Sequence, residues 1–480
     1  MSTPLKTALG IVGFLAVVEF TSGVLQGWYT PMLTDIARAL DIPDADVNWL
    51  EGGQLMLSAL VVPAFAKLGD MVGHKRMLLW SIGLTAVASL ALPFAGSFAP
   101  FLVAWALQGF YAVWLPMQIA LVWSRCRDLP NSAAVTASAA AVLVASLESG
   151  AIAGALVGGA LVDALPLPIV LLVPALLVVV CFVVVLFGVR GAPSSAGGRL
   201  DTGGLILVSL ALLGLMGGLS ALRISGVASP LPWLLIAAGV ALLWPFARYE
   251  LRHGDPLIDV RMFASPSLRP VFVIAGLFGV SVLGAQAPLS TFARTDPAVA
   301  GFGLGTTGFS TSLIIGFYLI AMIVGALLFP RVARLATPRV TLMGASVLVG
   351  VGFLALVPLN GSYLTVVLCM AVVGVGSGAL VAALPAAAAA AAPDRQTGVA
   401  TGLTNSVKTV GGAIASAAFG LLLFDHAGGD ATAASFGGYL AIWVICGATA
   451  FVSAALMLRV PRTAFTDARA TDQGEAPAVL

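Results

Sequence analysis

Four ionisable side chains stand in stretches of the chain too apolar to solvate them. Glu19 lies in Val17-Val18-Glu19-Phe20-Thr21-Ser22, Glu148 lies just ahead of a run of glycines, and Lys408 lies ten residues into an apolar stretch that starts at Gly398. Glu51 sits close to the start of another such stretch. An ion at the centre of a bilayer costs about 2.5–3.5 kcal/mol even on a lenient insertion scale, so each is a functional hypothesis by default. Carboxylates in such surroundings suit the uptake and release of a proton. Glu148 and Lys408 can also neutralise each other, either as a static salt bridge or as a switch that opens when Glu148 takes a proton. Glu51, the shallowest, also reads as a paired polar residue that holds helices together.

The elements that must position these groups are membrane helices. Of 480 residues, 60% are hydrophobic and 9% charged, and the mean hydropathy is +1.05. Soluble domains carry about 45–50% apolar and about 25% charged residues, so the chain is an integral membrane protein. Its net charge of +2, thinly spread, excludes nucleic-acid binding. A bilayer core needs about 20 apolar residues in helical form, and fourteen stretches qualify. Six run roughly over 7–28, 47–67, 77–95, 99–122, 134–162 and 167–189. A Gly/Ser/Pro-rich linker from Gly191 to Gly198 leads to a pair at about 202–222 and 231–248. Six more follow at about 270–291, 309–330, 338–358, 362–383, 398–424 and 436–459. The first run is followed by many more, so it reads as a helix rather than a cleavable signal. With an inside N-terminus, nineteen of the 23 Lys and Arg fall on the cytoplasmic side, and only Arg38, Arg223 and Arg294 on the outer side. That asymmetry supports fourteen spans with both ends in the cytoplasm.

Between the second and third spans lies the charged hairpin Ala66-Lys67-Leu68-Gly69-Asp70-Met71-Val72-Gly73-His74-Lys75-Arg76. A similar loop between the tenth and eleventh spans, from Pro330 to Arg339, keeps basic residues but no acid, which suggests an internal duplication. The fourth span carries Trp105, Gln108, Tyr111, Trp114 and Gln118, spread over more than one face, and Gln26, Gln54, Gln286 and Asn405 add amides elsewhere. Apolar walls with a few polar groups suit a small-molecule cavity, and acids with aromatic rings suit a lipophilic cation. The bland alternative is interfacial aromatics and amides that glue helices. Ala386 to Ala392 reads as a helix end plus loop, and the tail from Arg462 as a disordered polar segment. Cys126, Cys181, Cys369 and Cys446 are scattered and read as small core residues. The chain has no phosphate-binding Gly-x-x-x-x-Gly-Lys-Ser/Thr loop. His74, His253 and His426 are too dispersed for a metal site, and no catalytic constellation appears, so an enzyme is not expected.

On its motifs the chain resembles the major facilitator superfamily, and within it the fourteen-helix drug/proton antiporters of multidrug-exporter type. The family's hairpin motif reads Gly-x-Leu-Ala-Asp-Arg-x-Gly-Arg-Lys. Leu68, Asp70, Gly73 and Lys75 match it, while Ala66, Gly69, Met71 and His74 replace a Gly, an Ala and two Arg. Val47-Asn48-Trp49-Leu50, the loop from His253 to Phe263 and the stretch from Gly398 to Gly412 are similar to other family segments. Two positions depart. Trp105 stands where relatives carry a coupling arginine ahead of Gln108-Gly109. The antiporter motif Gly-x-x-x-Gly-Pro-x-x-Gly-Gly appears as Gly150, Gly154, Gly158 and Gly159 with Ala155 in the proline's place. Those glycines equally suit close helix packing.

The resemblance implies an all-α polytopic membrane protein of major facilitator fold, with two six-helix bundles and two extra linker helices. It implies an N-terminal bundle over 1–190, a linker with two helices over 191–262, a C-terminal bundle over 263–461 and a cytoplasmic tail over 462–480. The expected function is proton-coupled export of lipophilic or cationic small molecules by alternating access. Glu19, Glu148, Lys408 and Glu51 would couple protons, and Gln26, Gln54, Trp105, Gln108, Tyr111, Gln286 and Asn405 would line the cavity. Asp70, Gly73, Lys75 and Arg76 would form a conformational latch, with Asp70 paired across the bundle. A lipid or glycolipid exporter, and a non-transporting sensor or scaffold, are the alternatives. The expected partners are substrate, protons and membrane lipids, with no nucleic acid. The chain is expected to be a cofactor-free monomer in a bacterial inner membrane, driven by the proton gradient.

Overall fold

A backbone in lipid has no water to bond with, so apolar spans of this length close their hydrogen bonds internally as helices. The computed structural model describes residues 12–126, 132–191, 201–254, 256–392, 397–424 and 434–458, and they contain helices without strands. Thirteen helices among the described residues are long and apolar enough to cross a membrane. A fourteenth, α1 (Leu15–Trp28), belongs to the predicted span 7–28, whose beginning lies outside the described residues. The thirteen are α2 (Val47–Val72), α3 (His74–Ala91), α4 (Phe98–Cys126), α5 (Ser132–Val162), α6 (Leu167–Gly188), α7 (Thr202–Ser225), α8 (Pro230–Arg252), α9 (Leu268–Arg294), α10 (Gly308–Ala336), α11 (Pro338–Leu359), α12 (Tyr363–Ala391), α13 (Thr397–Leu423) and α14 (Phe436–Met457).

Several boundaries differ from the predicted ones for local reasons. α12 runs on to Ala391, so most of the alanine run is helix rather than loop; alanine is the best helix former. α2 likewise continues to Val72, and the hairpin shrinks to the single residue Gly73 between α2 and α3. Gly73 has φ +104°, a conformation closed to most side chains. In the second half Thr337 takes the same role between α10 and α11 with φ +112°. A β-branched residue is strained there, and its side chain offsets part of the cost by capping α11 at the Val340 N–H (3.4 Å). Two spans are interrupted. α4 contains a 3₁₀ segment at Gly109–Val113, and α9 contains a π-helical turn at Gly279–Leu283.

Two large apolar cores form. One gathers side chains from α1 to α6, around Trp105, Trp114 and Leu121; the other gathers α9 to α14, around Phe272, Phe353 and Trp443. Within the first, α1 packs along α5 and α3 along α6; within the second, α12 packs along α10 and α11. The halves meet where α2 lies against α13 and α5 against α10. α7 and α8 pair closely, with Gly214 against Gly239, and reach the bundle through a small core of Met56, Val208, Leu212, Phe246 and Ala413. Large apolar side chains such as Trp80, Phe187 and Leu335 remain exposed on the outside, as a lipid-facing surface requires.

Candidate transport site and the contacts that close one face

Glu19 points into the interior of the first half. Its side chain is completely buried, and the Gln118 Nε2 of α4 donates to its Oε1. Oε2 has no hydrogen-bond partner, and neither has the Gln118 Oε1. A buried carboxyl with one unsatisfied oxygen is costly to keep. On the helix side adjoining Glu19, α1 is sealed against α5 by glycines four and eight positions on. A Cβ added at Gly23 or Gly27 would come within 1.9 or 2.0 Å of a carbonyl oxygen of α5, at Leu147 or Ala151. Gly150, Gly154 and Gly158 return the contact against Phe20, Val24 and Trp28, while Gly159 faces Ser312 and Gly308 of α10 in the other half.

Glu148 and Lys408 come from opposite halves and feel each other's charge without a direct ion pair. Both are half-buried. Tyr318 of α10 joins them, its phenol within electrostatic reach of Glu148. Lys408 and Asn405 line a small cavity of about 20 Å³ beside Phe278, Leu384 and Thr404. The π-turn of α9 lies directly against this spot, since a Cβ on Gly279 would sit 1.9 Å from the Lys408 carbonyl oxygen. Such bulges recur at functional sites. Glu51, on α2, interacts with the Tyr111 phenol.

Other predicted cavity residues lie elsewhere. Trp105 and Gln108 are fully buried. Gln108 donates to the Tyr29 hydroxyl and to Ser89 Oγ, both at 2.8 Å, and Trp105 stacks with Phe101 and packs against Tyr29. In this structure the amide cross-braces the first half. Gln54 is buried, Gln286 is half-buried, and Gln26 is exposed with a 3.4 Å bond to Ser22.

The predicted latch also differs. Asp70 pairs with His74 (3.1 Å), one turn on, rather than across the bundle. It is 60% exposed on the last turn of α2, and the Gly73 turn brings the His74 ring beside it. Lys75 donates to the Leu186 carbonyl of α6 (3.0 Å), and Arg76 is exposed.

The hydrogen bonds that join the halves cluster at the opposite face. Arg294, ending α9, grips Asp35 with one nitrogen at 2.6 and 2.8 Å, and its other terminal nitrogen lies 3.8 Å from Asp163. Asp163, just beyond α5, accepts the backbone N–H groups of Gly308 and Phe309 at 2.8 and 2.9 Å. An anion at a helix N-terminus gains from both the free N–H groups and the dipole. Ser290 donates to the Thr30 carbonyl, Ser312 to Ala155 and Ser416 to Asn48, the last two at 2.7 and 2.9 Å. Burial pushes the Asp35 carboxyl above its ordinary value, and Arg294 opposes this without reversing it. None of Asp35, Asp163 and Arg294 stood out from sequence as a gate. The only signal was that Arg294 is one of three cations assigned to its side.

The profile described as Major Facilitator Superfamily matches residues 15–415 and 272–480. The chain is 25% identical over 439 residues to the probable actinorhodin transporter of Streptomyces coelicolor, covering 89% of this chain and 74% of that protein. It is 26% identical over 440 residues to the drug efflux pump JefA of Mycobacterium tuberculosis, covering 88% and 80%. The tetracenomycin C resistance and export protein of Streptomyces glaucescens is 26% identical, covering 88% and 77%. Among solved structures, the peptide transporter PepTSo superposes with a TM-score of 0.68 over 95% of this chain and 98% of that one, at 12% identity, a likeness of fold alone. A sequence profile spanning the chain, an all-helical membrane architecture and transporter relatives agree. The chain belongs to the Major Facilitator Superfamily and is a multi-pass membrane transporter.

Proposed function

We propose that this transporter exports lipophilic or cationic small molecules, of drug or natural-product type, in exchange for protons. The observation that carries the reading is the Glu148–Lys408 pair, split between the halves, with the contacts that join the halves collected at one face. Two half-bundles that rock about such a site give alternating access. The positive-inside asymmetry puts the hairpin face toward the cytoplasm, so the contacts that join the halves lie on the outer face and hold it shut. Cargo enters between the halves while Glu148 is ionised and competes with Lys408 for it. Tyr318 and Tyr111, each beside a carboxylate, offer aromatic surface to a lipophilic cation. Outward opening breaks the Arg294–Asp35 and Asp163–Gly308 contacts, Glu148 and Glu19 take protons, and cargo leaves. Inward return and loss of the protons reset the cycle. A potential of 100 mV adds about 2.3 kcal/mol per charge moved, so a bacterial inner-membrane gradient suffices without any cofactor.

The relatives, a probable actinorhodin transporter, a drug efflux pump and a tetracenomycin C resistance and export protein, support the same class of cargo. The test is growth of an efflux-deficient host on a panel of lipophilic cations and natural products, with and without an uncoupler. The chain should raise tolerance to part of the panel, and the uncoupler should abolish the gain. Tolerance that survives the uncoupler would overturn proton coupling.

A further inference from the structure

The linker pair carries a second feature, remote from the interface between the halves. At the end of α8, Trp244, Arg248, Tyr249, Arg252 and His253 line a groove of about 540 Å³. Trp244, Arg248 and Arg252 follow one another at intervals of four and so share one helix face. All three are exposed, and only 17% of the apolar window of α8 is buried, so this face looks into lipid at the end of a span, where headgroups lie. Arg248 lies over Trp244, its guanidinium carbon 4.1 Å from the centroid of the ring. Tryptophan at that depth anchors a helix at the membrane–water boundary.

We propose that this groove binds the phosphate headgroup of an anionic membrane lipid, with Arg248 and Arg252 as its cations and Trp244 setting its depth. Two buried acids stand nearby, Asp201 and Glu250, and each turns one oxygen to backbone while the other has no hydrogen-bond partner. Asp201 accepts the Gly204 N–H at 2.8 Å, and Glu250 accepts the Ile258 N–H at 3.4 Å. His253 bridges the acids and the groove, its Nδ1 3.9 Å from Asp201 and its ring 5.4 Å from that of Tyr249. The groove thus presents guanidinium groups with their apolar stems against an aromatic floor, a match for a phosphodiester above acyl chains. Zwitterionic headgroups gain less, because their own ammonium group meets the same two arginines.

The test uses the purified full chain and native mass spectrometry after incubation with phosphatidylglycerol vesicles, with phosphatidylcholine vesicles, or with inorganic phosphate. Retention of phosphatidylglycerol should exceed that of phosphatidylcholine about thirtyfold, at about fivefold per arginine. Arg248→Gln with Arg252→Gln should erase the preference while the melting temperature stays at the wild-type value. The corresponding double Lys substitution should keep most of it. If the double Gln variant proves unstable, Arg252→Gln alone should lower the preference about fivefold. Equal retention of the two lipids, a Gln variant that still prefers phosphatidylglycerol, or displacement of the lipid by equimolar inorganic phosphate would overturn the proposal.

Discussion

Replacing Arg294 by Gln removes the central cation of the closed face, and the size of the effect follows from its surroundings. The Arg294 and Asp35 side chains are 14% and 30% exposed, so the pair is shielded but not dry. A hydrogen bond to a charged group contributes about 1.5–3 kcal/mol, and a fully exposed ion pair about 0–1 kcal/mol. The two-point grip on Asp35 falls between them, at about 1–2 kcal/mol. At 1.4 kcal/mol per factor of ten, Arg294→Gln should move the closed-to-open ratio of this face about 5- to 30-fold toward open. The loss also leaves Asp35 and Asp163 to repel each other without the shared guanidinium. The assay is pulsed electron spectroscopy on labels at Ala39→Cys and Val299→Cys, both on exposed positions flanking this face. The four native cysteines are buried. Arg294→Gln, and Asp163→Asn to a similar extent, should add a longer-distance population. Distributions unchanged within twofold in both variants would refute the reasoning.

Three further outcomes follow from the same geometry. Gly27→Val should lower the melting temperature sharply or abolish expression, because even a Cβ there meets the Ala151 carbonyl at 2.0 Å; thermal unfolding by fluorescence checks this. Thr337→Gly should stabilise the protein by about 1–2 kcal/mol, since it relieves strain of about 1–3 kcal/mol and loses only a few tenths from the cap; the same melting assay should show an increase. The closed face raises the proton affinity of Asp35 through burial, and opening would hydrate the group and return it to its ordinary value. Protons therefore bind the closed form more tightly, and acidification through the carboxylate range should shift this face toward closed. Asp35→Asn should remove that part of the pH dependence in the spin-label distances.

The helical spans, the glycines that let α1 and α5 touch, and the isolated membrane charges were legible because each rests on local composition. The closing contacts were not. Arg294 and Asp35 lie 259 positions apart, and nothing in either neighbourhood names the other. Trp105 and Gln108 lie in the packed interior of the first half. The 3₁₀ segment of five residues in α4 winds about 20° further per residue than an α-helix. The accumulated turn of about 100° adds to the spread over more than one face that the spacing along this span already implies. The hairpin at 66–76 was read as a cross-bundle latch from family resemblance. In this conformation the joined face is the opposite one, and Asp70 meets only its neighbour His74. Tyr318 carried no signal of its own, and Gln118 stood out only as one amide of the fourth span; the carboxylates that packing sets beside them give both their meaning.

Proton coupling is the central claim, and substrate-dependent proton flux measured in proteoliposomes with an internal pH dye tests it most directly. Addition of a transported lipophilic cation should drive protons in the opposite direction. Glu148→Gln should abolish that flux, and Glu19→Gln should reduce gradient-driven uptake. Cargo movement without proton flux, or unchanged gradient-driven uptake in both variants, would contradict the account.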